Sequence, residues 1–106
     1  VIRYLLSGAV LLVACSASAT LPPEITIGRP TLMYGKALSF PVSIRNVGQT
    51  PMAWVDLECT LRDEAANVSE PGHVIFENVA PGQTATEQAI YMHSRGQLTC
   101  RFVSAF

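Results

Sequence analysis

Cys59 and Cys100 are the residues with the clearest chemistry to offer. Both fall on the inward set of a stretch that alternates apolar and polar residues. An inward, even pair of cysteines in an exported chain is expected to oxidise to a disulfide. The bridge would close a loop of about 40 residues and contribute roughly 3–4 kcal/mol on the chain-entropy account. The competing reading is two unpaired buried thiols. A third cysteine, Cys15, lies near the N-terminus in Leu12-Val13-Ala14-Cys15. That tetrapeptide has the form of a lipobox, after which an exported chain is cut and the cysteine lipidated.

His73 and His93 suggest metal chemistry, the more so because Met92 precedes His93 and Met33 and Met52 stand elsewhere in the chain. Soft thioether and imidazole ligands suit copper. No H-x-x-x-H spacing brings the two imidazoles onto one element, so the expectation is no metal and no cofactor. Met92, His93 and His73 are the alternative copper set. Asp56 and Glu58 alternate with apolar residues, which is the pattern of a solvated strand face. No G-x-S-x-G and no nucleophile–base spacing accompanies them, so no catalytic residues are assigned and the chain is read as a non-enzyme. Trp54 lies on the same polar face and Met52 shares its parity. Trp is enriched at binding hot spots. Met52 and Trp54 are therefore the candidate partner-binding residues.

The element that must position most of these groups is Ala53–Asp63, A-W-V-D-L-E-C-T-L-R-D. Ala53, Val55, Leu57, Cys59 and Leu61 share one parity. Trp54, Asp56, Glu58, Thr60 and Arg62 share the other. Period-two alternation predicts a strand with one buried and one wet face. Around it the chain reads as short strands. Glu24–Gly28 is followed, after Gly28-Arg29-Pro30, by a continuation over Thr31–Tyr34. Ala37–Asn46 places Leu38, Phe40, Val42 and Ile44 inward and Pro41 outward, which predicts an edge position or a bulge there. Asn46–Pro51 is a dense turn signal. Asp63–Pro71 reads as a loop, with a short strand at Asn67–Ser69 as an option. Pro71-Gly72 and Pro81-Gly82 read as turns bounding His73–Val79. Thr84–His93 and Gln97–Val103 follow, joined at Ser94-Arg95-Gly96 as a hairpin, with Leu98, Cys100 and Phe102 inward. About seven strands with turns at this spacing predict an all-β sandwich.

The first residues read as an address. Val1-Ile2-Arg3 is a short positive lead, Tyr4–Ala14 an apolar run, and Ala17-Ser18-Ala19 a small-x-small cleavage signal. Together they predict a secretory signal peptide over residues 1–19, with a signal helix. The alternative is a lipoprotein signal over residues 1–14, with Cys15 as the anchor. Either delivers the chain to an oxidising compartment, periplasmic or secreted. The run is shorter than the roughly 20 residues a membrane span needs. Residues 20–23 are then a linker, stiffened by Pro22 and Pro23, and residues 24–106 one domain. A formal net charge of −1 offers no basic footprint for nucleic acid.

Three segments occur in an order that resembles a known group. Arg45-Asn46-Val47-Gly48 is an N-x-G turn. Cys59-Thr60-Leu61-Arg62-Asp63 ends the alternating strand. Asn78-Val79-Ala80-Pro81-Gly82-Gln83-Thr84 precedes a late strand. This order resembles the FxLYD and CARDB-like bacterial exported domains from about Ile25 onward. Leu61 and Asp63 match the L-Y-D signature, whereas Cys59 and Arg62 replace its Phe and Tyr. The resemblance implies an immunoglobulin-like sandwich of about seven antiparallel strands. It also implies an accessory role in the cell envelope, binding another protein or envelope component, with the membrane reached only through a lipid anchor.

Overall fold

The computed structural model describes residues 21–106. The expected signal peptide, its helix, the cleavage site and Cys15 lie outside the described residues. Seven strands follow in order: β1 (Glu24–Ile27), β2 (Thr31–Met33), β3 (Ala37–Arg45), β4 (Met52–Asp63), β5 (Val68–Val79), β6 (Thr84–Tyr91) and β7 (Gln97–Ala105). No helix occurs among the described residues. All strand pairs are antiparallel. In one sheet β3 is central, with β6 on one side and β1 and β2 along the other; in the second, β4 is central between β5 and β7. The alternating stretch is thus the middle strand of the second sheet.

The two sheets share one core. Val55, Leu57, Cys59 and Leu61 are fully buried, as their parity predicts, and cluster with Phe40, Val42 and Ile44 of β3 and Phe76 and Val79 of β5. Each fully buried aliphatic or Phe side chain contributes roughly 1.5–3 kcal/mol relative to exposure. The two central strands supply most of these residues because only a central strand has neighbours covering it on both sides.

Pro41 is not at an edge. It lies in the middle of the central strand β3, opposite Gln88 of β6. Proline has no N–H to give a ladder, and the other neighbour accommodates this by breaking. Gly28 N–H donates to Pro41 O at 2.8 Å. The chain then steps out at Arg29-Pro30 and returns as β2. Between Ile27↔Val42 and Thr31↔Ser39 it carries one more residue than β3 does. The irregularity is therefore a break in the strand facing Pro41, and Pro41 itself keeps regular register with β6. Gly28 is required by the close approach, since a Cβ there would lie 2.7 Å from Pro41 Cγ. Gly28→Ala should cost about 1–3 kcal/mol in a denaturant melt, the usual penalty of overpacking. A neutral result would show that the Pro41 ring can move aside.

Two expected turns are not turns. Strand β5 runs without interruption through Pro71-Gly72, which pair with Thr60 and Cys59. As an edge strand β5 tolerates a proline. The reversal falls earlier, at Glu64–Asn67, where Asn67 adopts φ 54° and donates its N–H to Glu64 O. Asn accepts this left-handed conformation more readily than most residues. Gly72 serves packing: the Tyr91 hydroxyl comes to 3.2 Å of where its Cβ would be and donates to Cys59 O at 2.7 Å. Ser94–Gly96 is not a hairpin, because β6 pairs with β3 and β7 with β4. The segment carries the chain from one sheet to the other. Gly96 permits this with φ 144°, close against Leu61. Pro81-Gly82 does turn, with Gly82 at φ 78° and Gln83 N–H donating to Ala80 O.

Candidate functional site

Cys59 and Cys100 are directly opposite one another on β4 and β7, at disulfide distance, with Cα atoms 4.0 Å apart. A bond between them would staple adjacent strands of one sheet. It would therefore hold the edge strand β7 to its central neighbour.

The outer face of this sheet carries the expected polar set. Asp56 hydrogen-bonds His73 Nδ1 on β5 at 2.7 Å, and Glu58 accepts from Arg101 Nε on β7 at 2.8 Å. Both carboxylates are thus committed to cross-strand partners. Exposed pairs of this kind are worth little, about 0.2–1 kcal/mol each. Among the described residues no group of three His, Cys, Asp or Glu side chains could hold a metal ion. His73 bonds to Asp56, whereas His93 bonds to Glu70 at 2.6 Å. Met92 is exposed beside it. Of the alternative copper set of Met92, His93 and His73, the two histidines thus pair with different carboxylates.

Trp54 is 39% exposed on the outer face, where β4 parity puts it. Met52 is not beside it: only 4% exposed, it belongs to the core. The strand changes parity between them. Phe106 donates its N–H to Trp54 O and accepts from Ala53 N–H, so two residues of β4 face one beyond β7. This is the count that defines a bulge. On the other side Asn78 of β5 takes φ 57°. Ala53 and Trp54 are both exposed, as are Glu77 and Asn78, after which Met52 and Val79 turn inward together. Two residues that the strand pattern does not single out join Trp54 at this end of the sheet, Val103 and Phe106, both exposed. Val103 is the residue by which β7 shifts register against β4 between Asp56 and Leu57. Phe106 also lines an apolar cleft of about 380 Å³, with Pro51, Met52, Ala53, Asn78 and Ala80. A bulge leaves no periodic trace, so its Ala53–Trp54 kink could not be read in advance; the Asn at 78 was the one available sign.

At the other end of β4, Asp63 accepts from Arg95 Nε at 3.0 Å. That bond, with smaller help from the Ala65 and Ala66 backbone, holds the Asp63 carboxyl below its ordinary value of 3.8. The pair lines a cleft of about 520 Å³ with Arg62, Glu64 and Gly96. Burial, reinforced by the nearby Glu70 charge, pushes the Tyr91 phenol above 10.0 and keeps it a donor to Cys59 O.

The N-x-G and P-G-Q-T turns meet at Asn46, whose side chain is enclosed. Its Nδ2 donates to Thr50 O at 2.9 Å and Val79 O at 3.0 Å, and its Oδ1 accepts from Gly48 N–H at 3.0 Å. Its backbone N–H donates to Gln83 O and its carbonyl accepts from Gly82 N–H. One residue thus ties together the β3–β4 turn, the end of β5 and the β5–β6 turn. No family model, curated protein or solved structure matches the chain.

Proposed function

We propose that this chain is an exported, non-catalytic module of the cell envelope, built as an immunoglobulin-like sandwich, which binds a protein or envelope component through the Trp54 end of its three-stranded sheet. The sandwich reading is supported by two antiparallel sheets that share a core and between which the chain crosses repeatedly. Export is supported by the apolar leader and by a cysteine pair that needs an oxidising compartment. The observation that carries the binding reading is Trp54, exposed at the end of the three-stranded sheet where Val103 and Phe106 are exposed as well and Phe106 lines an apolar cleft. Aromatic anchors of this kind dominate binding energy where they occur.

A photo-crosslinking amino acid placed at position 54 in intact cells should give a discrete adduct. The same probe at Thr86, on the outer face of the other sheet, should not. Absence of an adduct at 54, or equal adducts at both, would remove the assignment. Trp54→Ala should also cost under about 1 kcal/mol of folding stability, as exposed substitutions usually do. A loss of about 3 kcal/mol or more would mark Trp54 as a core residue.

A further inference from the structure

The two ends of the molecule differ in charge. At one end β1 begins, β3 passes into β4, β5 passes into β6 and β7 finishes. The loops there are residues 21–23, 46–51 and 80–83, and Phe106 follows β7. None of these positions holds an Asp, Glu, Lys or Arg. At the opposite end the loops are residues 34–36, 64–67 and 92–96, which carry Lys36, Glu64 and Arg95. The two turns of the uncharged end form one surface, because Asn46 bonds through its backbone to Gly82 and Gln83.

The uncharged end is also apolar. Leu21, Val47, Trp54 and Phe106 are exposed on it. In the adjoining strand ends Glu24 and Arg45 pair with each other, and Glu77 stands opposite Trp54. Loops that meet only water have no need to lack charge. Loops that enter a bilayer interface do, because an ion leaving water costs far more than an amide or a hydroxyl. Tryptophan settles at that depth, with its ring in apolar surroundings and its N–H hydrated.

The chain also enters the fold at this end. Cys15 precedes Leu21 by six residues, a stretch that reaches about 20 Å at most. A lipid on Cys15 therefore keeps Leu21 within about that distance of the bilayer surface. Such a tether holds the uncharged end at high effective concentration over the lipid, so a contact too weak to form in solution forms there.

We propose that the uncharged end rests on the bilayer that holds the Cys15 lipid, with Trp54 in the interface. This rests on the Trp54 end being the binding surface, as above, and on the lipobox form of Leu12–Cys15; it names the envelope component as phospholipid. The contact is apolar. Glu77 gives this end no attraction to anionic headgroups, so zwitterionic phospholipid suffices.

Trp54 is the only tryptophan of the chain, so its emission reports the contact directly. The test places the lipidated protein, extracted from membranes, in vesicles of phosphatidylethanolamine and phosphatidylcholine. Its emission should lie to the blue of that of the Cys15→Ser protein in solution. Phospholipid brominated near the headgroup should quench it, and added phosphatidylglycerol should change neither result. Val47→Glu and Phe106→Glu each put a charge at an exposed position of the uncharged end, and each should abolish the shift and the quenching. Thr86→Glu, on the outer face of the other sheet, should abolish neither. Urea melts show which variants are folded, and either Glu variant at the uncharged end suffices. Absence of lipid on Cys15, unquenched emission from the lipidated protein, or quenching that survives the Glu substitutions would overturn the inference. Unquenched emission together with a protein adduct from the photo-crosslinker at position 54 would overturn it while leaving Trp54 a binding residue. Neither quenching nor adduct would remove both.

Discussion

Asn46→Ala is expected to lower folding stability by about 3–5 kcal/mol, a large share of the roughly 5–15 kcal/mol a domain has in total. Asn46 is 0% exposed, and both halves of its amide are used. The substitution strips a donor from Thr50 O and Val79 O and an acceptor from Gly48 N–H. Each polar group left unpaired away from water costs about 1–3 kcal/mol, with some relief where Thr50 and Gly48 reach solvent. Asn46→Asp sharpens the test, because it is nearly isosteric and fails only in chemistry. A carboxylate would face two carbonyl oxygens where two N–H groups belong, and it would do so buried. It should destabilise at least as much as alanine. Urea melts of both variants decide the matter. A loss below about 1 kcal/mol in each would mean that the turns hold together without this residue.

Removal of the Cys59–Cys100 bond should cost about 4 kcal/mol on the chain-entropy account for residues 41 apart in sequence. Melts with and without reductant measure it, and mass spectrometry of unreduced protein from its native compartment should find the two peptides linked. Free thiols there would sink the idea. The single substitutions should differ. Cys59 is fully buried, so Cys59→Ala adds a small cavity to the lost bond, whereas Cys100 lies on the partly open edge and can relax. Cys59→Ala should therefore be the more damaging.

The alternation of β4 was legible because it is local. Side chains of a strand point to opposite faces in turn, so Val55, Leu57, Cys59 and Leu61 declare a buried face whatever surrounds them. The inner set of β3, the inward position of both cysteines and the Pro81-Gly82 turn were legible for the same reason. Tertiary structure decided what depends on distant neighbours. Pro71-Gly72 has the composition of a turn, yet it lies within β5, because an edge strand tolerates the missing N–H and the Tyr91 hydroxyl needs the missing Cβ. Ser94–Gly96 has the composition of a hairpin, but turn residues specify only that the chain reverses, and not which sheet receives the next strand. Met52 shares the parity of Trp54 and still enters the core, because a bulge against Phe106 inserts one residue into the count. Asn46 reads as a turn residue from its neighbours, whereas its central position comes from Val79, Gly82 and Gln83, more than thirty residues away. Periodicity records which way a side chain points. Partners are chosen by long-range pairing, which burial of a common core selects and no local spacing encodes.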